Sequence, residues 1–262
     1  MSLLNQLAGS GAWYSGFFSD FIKCFITKSR YMLVFEGISV TVKVSIVAAV
    51  LGILIGLLIA MCNLSKSKLL NVIGKCYTDI IRGTPTVTQL LIIYFVVFAS
   101  VTSLDKWVIA SIAFGINSGG YVAEIIRAGI MSIDKGQTEA GRSLGMNGFQ
   151  TMLHIIIPQA VKNIFPALCN EFIVLIKETA IVGYVGLRDI AKAGDQIKSA
   201  TYIAFMPLIG TAIIYFVMIK ALTTNTTVSF SRSSEIIYIR MPAHTNKQAV
   251  HTDIIIRARR KL

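Results

Sequence analysis

The chain has 262 residues, 54% of them hydrophobic and only 15% charged, with a mean hydropathy of +0.68. A soluble domain carries about 25% charged residues, so soluble, disordered and collagen-like chains are excluded and a multi-span membrane protein is the working class. The formal net charge is +12, from 25 Lys and Arg against 13 Asp and Glu. In a membrane protein such an excess points first to the cytoplasmic loops, not to nucleic acid.

The N-terminus, MSLLNQLAGSGAWYSGFF, has no basic stretch ahead of its apolar residues and does not read as a cleaved signal peptide. Residues 31–43 place Glu36 and Lys43 on one helical face, and either extend the first span or lie at the interface. Residues 44–65 contain no charge and are long enough to cross a bilayer. Within them Gly52 and Gly56 form a G-x-x-x-G pair that permits close helix approach, a pattern common in membrane helices. A basic link follows at 63–85, with Lys66, Lys68, Lys75 and Arg82 against Asp79 alone. Further spans are expected at 87–103, 107–130 (interrupted by Glu124 and Arg127), 152–176 (with Pro158 and Pro166 inside, expected to kink it) and 201–219. Cys24, Cys62, Cys76 and Cys169 are scattered without a C-x-x-C, so neither a disulfide framework nor a metal site is expected.

Five spans put the termini on opposite sides, but charge does not orient them. The 63–85 and 127–150 loops hold seven Lys and Arg, and the opposite side holds eight before Lys220.

The segment DKGQTEAGRSLGMNGFQTMLHIIIPQA is the most patterned part of the chain. Asp134 is placed to cap a helix, Gln137 stands three residues on in capping-box register, and Gly145 suits a left-handed stop. This predicts a short polar helix, then a turn at Asn147-Gly148. Such a helix has too little apolar surface to insert; it is either an interfacial loop helix or a docking element for a soluble partner.

Glu139-Ala140-Gly141, three residues, Gly145, nine residues, then Ile155-x-Ile157-Pro158 resembles the EAA loop of ABC importer permeases, E-A-A-x3-G-x9-I-x-L-P. Only Gly141 for Ala and Ile157 for Leu depart from it. The chain is similar, more narrowly, to the histidine, glutamine and arginine type of polar amino-acid permease. Supporting stretches are Arg82-Gly83-Thr84-Pro85 with Gln89, Gly120-Tyr121-x-Ala123-Glu124-x-x-Arg127, Gly136-Gln137, and Asn170-Glu171-Phe172 with Lys177-Glu178-Thr179. The resemblance covers roughly residues 35–220.

It implies an all-α integral membrane fold of five transmembrane helices with a cytoplasmic coupling helix, the type I ABC importer transmembrane domain, over residues 31–220. Residues 1–30 would then be extracytoplasmic and the C-terminus cytoplasmic, in a multi-pass protein of the bacterial inner membrane. The implied function is import of a polar amino acid, driven by ATP hydrolysis in a separate ATP-binding subunit. The implied partners are that subunit, which holds ATP and Mg, an extracytoplasmic amino-acid-binding protein, a second permease copy or close homologue, and membrane lipid. No cofactor is expected in this chain, which is not itself an enzyme. It has no G-x-x-x-x-G-K-[ST], since Gly74-Lys75 lacks the earlier glycine and precedes Cys76. Coupling to the ATPase would fall to Gln137, Glu139, Ala140, Gly141, Leu144 and Gly145.

Charges inside spans usually face a bundle interior or a water-filled cavity. Glu124 and Arg127, one turn apart, either pair with each other or line a pathway. Glu171 faces that cavity or snorkels outward, and Arg82 lines it or is a cytoplasmic flank. Gln89, Asn117, Ser118 and Tyr121 are neutral candidates for its wall. His154 reads as an interfacial or packed histidine. The competing readings are an ion-gradient-driven secondary transporter and a non-transporting membrane scaffold.

Residues 220–262 hold eight basic and two acidic residues, half of the net charge, and do not resemble the family. The fifth span is expected to stop at Ile219, ahead of the Thr223–Thr227 run. Residues 221–262 are read as a disordered basic cytoplasmic tail, either a native extension resting on anionic lipid or an aberrant translated end.

Overall fold

The computed structural model describes residues 12–101 and 103–239, and every element among them is helical. In chain order these are α1 Ala12–Phe21, α2 Tyr31–Leu64, α3 Lys68–Gly83, α4 Thr86–Ile92 and α5 Lys106–Met131. They continue as α6 Lys135–Ser143, α7 Gly148–Thr151, α8 Ile157–Glu178, α9 Ile190–Thr201 and α10 Phe205–Ile239. π turns at Ile22–Ile26, Ile93–Val97 and Met152–Ile156, and 3₁₀ segments at Thr27–Ser29 and Thr179–Val185, extend or join them.

Among the described residues α2, α5 and the Phe205–Thr224 part of α10 are each long and apolar enough to cross a membrane. α3 with α4 and its π turn passes the same test only as a pair bent by 107°. α8 has 22 residues but carries Lys162, Glu171, Lys177 and Glu178, so length and composition alone give three spans, or four with the bent pair.

Residues 31–43 extend the first span, since α2 is one helix of 34 residues. The basic 63–85 link is itself largely helix, α3. Its residues sort into three stripes at helical spacing. Gly74, Thr78 and Ile81 are buried, Lys68, Lys75, Asp79 and Arg82 form a charged stripe, and Leu69, Val72, Ile73 and Ile80 are exposed. Tyr77 fastens α3 to α5 by donating its hydroxyl hydrogen to the Ile116 carbonyl at 2.6 Å.

α2 has the inverted distribution of a membrane helix. Ile46, Val50, Ile53, Leu54, Leu57, Leu58 and Met61 are exposed, whereas Ser45, Ala48, Gly52, Gly56 and Ala60 are buried. In lipid, apolar surface gains little by burial, so small residues that let backbones approach define the contact. That contact is with α5. A Cβ built on Gly52 would lie 2.9 Å from Ser118 Cβ, and one on Gly56 would lie 2.5 Å from Val122 Cγ1. Around the crossing, Val44 and Ala48 of α2 join Leu90 of α4, Ala110, Ala113 and Phe114 of α5, Leu175 of α8, and Val182 and Val185 in one apolar core.

Backbone proximity divides the chain into two units, one ending at Ile219 and the other starting at Lys220. α10 is helical through Thr223–Thr227, where the sequence pointed to a stop at Ile219. Threonine is less favourable than alanine in a helix by only about 0.5–0.7 kcal/mol, and each added residue of a formed helix gains a hydrogen bond. The remainder of the expected tail, 240–262, lies outside the described residues.

Candidate functional site

α6 is the polar helix that the sequence predicts. Asp134 caps it, its carboxylate accepting from the Gly136 N–H at 2.6 Å. Its other end is a Schellman stop. Gly145 adopts φ +78°, its N–H bonds to the Arg142 carbonyl at 2.9 Å, and the Met146 N–H reaches back to the Gly141 carbonyl at 3.1 Å. The expected capping box is not made: Asp134 accepts from the N–H of Gly136, not of Gln137. Gln137 presents its Oε1 to the Gln159 amide of α8 at 3.3 Å. The complete box lies at the next helix start, where a turn was expected. The Asn147 side chain accepts from the Gln150 N–H at 2.9 Å, and the Gln150 side chain accepts from the Asn147 N–H at 3.0 Å.

Glu139, Ala140, Leu144 and Gly145 are exposed, whereas Gly141 is buried against the following segment. A Cβ on Gly141 would lie 2.8 Å from Thr151 Cγ2 and 3.0 Å from Ile155 Cδ1, so the glycine standing for the motif's alanine lets α6 sit closer. Leu144 and Phe149 are 79% and 76% exposed beside an otherwise polar helix. Beside Leu144 a shallow recess is lined by Leu144, Gly145, Met146, Gln150 and His154. His154 is exposed, its Nδ1 lying 3.0 Å from the Gln150 carbonyl.

The polar residues singled out within the spans fall into three groups. Gln89 and Asn117 form a buried brace at the bend between α3 and α4. Gln89 Nε2 donates to the Ile81 carbonyl (2.8 Å) and to Thr84 Oγ1 (2.6 Å), and its Oε1 accepts from Asn117 Nδ2 (2.9 Å). This satisfies backbone that the Gly83-Thr84-Pro85 break leaves open. Ser118 and Glu171 make the second group, the hydroxyl donating to the carboxylate at 3.0 Å between α5 and α8. The third is Arg82, Tyr121, Glu124 and Arg127. Arg127 grips Glu124 with two hydrogen bonds, Nη2 to Oε1 at 2.6 Å and Nε to Oε2 at 2.9 Å. Arg82 lies over the Tyr121 ring, its guanidinium carbon 5.8 Å from the centroid.

Glu178 belongs with these residues and was not singled out from the sequence. It stands seven residues after Glu171 on α8 and accepts a hydrogen bond from Thr86, at the start of α4. Its signal was present in Lys177-Glu178-Thr179 and in the seven-residue spacing.

At the far end of α8, Arg188 pairs with Glu36 of α2. Asp189 caps α9, accepting from the Ala191 and Lys192 N–H groups and from the Tyr215 hydroxyl at 3.0 Å. α9 lies outside every span. On it Lys198 and Lys192 hydrogen-bond Asp195 at 2.7 and 3.1 Å, Lys198 more strongly, and hold its carboxyl below the usual carboxylate range.

The family model for binding-protein-dependent transport system inner membrane components matches residues 52–229. The putative glutamine transport system permease protein GlnP of Rickettsia bellii (strain RML369-C) is 40% identical over 195 residues, 74% of this chain and 89% of that protein. The arginine transport system permease protein ArtQ of Bacillus subtilis (strain 168) is 41% identical over 191 residues, 72% of this chain and 87% of its own length. A solved structure of an amino acid ABC transporter with histidines matches with a TM-score of 0.74 and 42% identity, covering 79% of this chain and 98% of that one.

Proposed function

Since the chain belongs to the family of binding-protein-dependent transport system inner membrane components, we propose a mechanism for it in which α6 is the coupling helix. The protein is a transmembrane permease subunit of an ABC importer for polar amino acids, a multi-pass protein of the inner membrane, and ATP is hydrolysed in a separate ATP-binding subunit. The observation that carries the mechanism is the geometry of α6. It is a polar helix closed by a Schellman stop, with Glu139, Ala140 and Leu144 exposed and Gly141 pressed against the root of α8.

In this reading α8 is the fourth of five spans, α3 and α4 together make one bent span, and α6 faces the cytoplasm. The N-terminus is then extracytoplasmic and the C-terminus cytoplasmic. Glu139 and Leu144 meet a cleft of the ATP-binding subunit, with Phe149 at its edge, and that subunit holds ATP and Mg. Closure of the nucleotide-bound ATPase dimer displaces α6 and rocks the spans between inward- and outward-open states. A binding protein delivers the amino acid from outside, and a second permease copy or close homologue completes the pathway.

An amino acid presents an ammonium and a carboxylate. Glu171, held by Ser118, and Glu124 suit the first, and Arg127 or Arg82 beside Tyr121 suits the second. Gln89 and Asn117 shape the wall by bracing the bend.

The test is Glu139→Lys in proteoliposomes containing the ATP-binding subunit and the binding protein. The substitution is expected to abolish association of the ATP-binding subunit and ATP-dependent uptake while the permease stays inserted. Unchanged association and uptake would overturn the coupling role. Uptake driven by a proton or sodium gradient without ATP would favour a secondary transporter.

A further inference from the structure

We propose that Gln159 is a positioning residue that carries the displacement of α6 into the body of α8, with Asn163 holding the same face of α8 to the end of α5, where the chain leads into α6. This rests on the coupling reading of α6 and adds where the push is delivered.

The main chain between α6 and α8 is a poor lever. It passes through the Met152–Ile156 π turn, where the Ile157 N–H closes on the Met152 carbonyl. It then meets Pro158, which has no N–H to give the His154 carbonyl. A helix whose hydrogen-bond ladder is interrupted in consecutive turns bends there. A push arriving only along the backbone would be absorbed before it reached α8.

Side chains bridge the interruption. Gly141 of α6 packs on Thr151 and Ile155, before the proline. Gln137 of α6 accepts from Gln159, after it. Further along, Asn163 Nδ2 donates to Ser132 Oγ at 2.8 Å, and Gly129 is in close contact with Ile164. Positions 155, 159 and 163 recur every four residues, so the contacts form a ladder along one face of α8. The Gln159 amide is held in place by a second bond, to its own Ile155 carbonyl at 2.8 Å. Beyond Pro158 the Gln137–Gln159 rung ties the α8 body to α6 itself, and the Ser132–Asn163 rung ties the same face to the end of α5, three residues ahead of α6, so α6 and the α8 body move as one piece even where the chain joining them is weak.

The experiment uses the whole complex in proteoliposomes and reads the ATP hydrolysed per amino acid transported. Gln137→Cys with Gln159→Cys is joined by a short bis-methanethiosulfonate linker that reductant removes, with wild type treated alike to account for its own cysteines. Uptake in the linked complex is expected to stay within about twofold of the treated wild type, because a rung that never opens tolerates a covalent tie. Loss of uptake on linking, restored by reductant, would overturn the proposal, since the pair would then have to separate during the cycle. In Q159L/N163L, ATPase association is expected to persist while the ATP used per amino acid rises about tenfold. Wild-type stoichiometry in that variant would equally overturn it. If Q159L/N163L fails to assemble, the linked pair decides alone. Failure of the coupling reading shows separately, as Glu139→Lys complexes that still assemble and transport.

Discussion

The α2–α5 crossing and the α6–α8 ladder both hold two helices together, by opposite means. At the crossing, Gly52 and Gly56 bring α2 against Ser118 and Val122 with no side chain between backbone and partner. The attraction there is dispersion summed over many close contacts, and it vanishes steeply if the helices part. At the ladder the fastenings are amide and hydroxyl groups near the surface, Gln137 of α6 to Gln159 and, from the end of α5, Ser132 to Asn163. Each such bond exchanges with water and contributes only about 0.5–1.5 kcal/mol net. Excluded volume fixes a distance, and hydrogen bonds fix a direction. A frame that must not change during transport suits the first, and a lever that must transmit orientation suits the second.

Three substitutions or conditions probe that contrast beyond the tests above. Gly56→Leu should have the largest effect. Its side chain would enter space held by Val122 Cβ, 2.6 Å from the first added carbon, and overpacking of this kind costs about 1–3 kcal/mol or more. The expected result is a sharp loss of monodisperse protein in detergent and a lower unfolding temperature. Wild-type yield and melting would mean that the two helices are free to move apart.

Gly145→Ala should act at the ladder's end with less force. An alanine at φ +78° costs about 1 kcal/mol, and nothing near that position clashes with the added carbon. Insertion into the membrane should be normal, with a small fall in melting temperature and weaker binding of the ATP-binding subunit in a pull-down titration. A loss of folding as severe as that of Gly56→Leu would erase the distinction between frame and lever.

The smallest effect belongs to the exposed pairs of α9, which are part of neither. Asp195 is held below the usual carboxylate range by Lys198 and Lys192, so it stabilises the folded form above its ordinary value. That contribution is lost as pH falls from about 4 through the lower folded value. Melting curves across that acid range should show a slight loss that Asp195→Asn removes. A slope unchanged by the substitution would leave these pairs without effect on stability.

What could be read before the structure was local. Gly145 stood after a polar run with a capping aspartate ahead of it, and a left-handed stop follows from those residues alone. Glu124 and Arg127, one turn apart, paired as one of the two readings allowed. Gln137 misled because the competing partner, Gln159, lies 22 residues away. The capping box at Asn147 and Gln150 was written in the sequence and passed over for a turn. α3 reads as a link because the four basic residues of 63–85, three of them on α3, mask the period of Gly74, Thr78 and Ile81. Glu178 and Thr86 meet only through the fold.

By itself the sequence determined the class of protein, the small polar helix with both of its ends, and the family. Each rests on composition, on a period, or on residues a few positions apart. Only the tertiary structure decided which polar groups meet. Gln89 went to Asn117 and the α3–α4 bend, Glu171 to Ser118, and Gln159 to α6. A buried or half-buried polar side chain takes the partner that packing brings within about 3 Å, and that distance is set by helix crossings, which no single stretch of sequence contains.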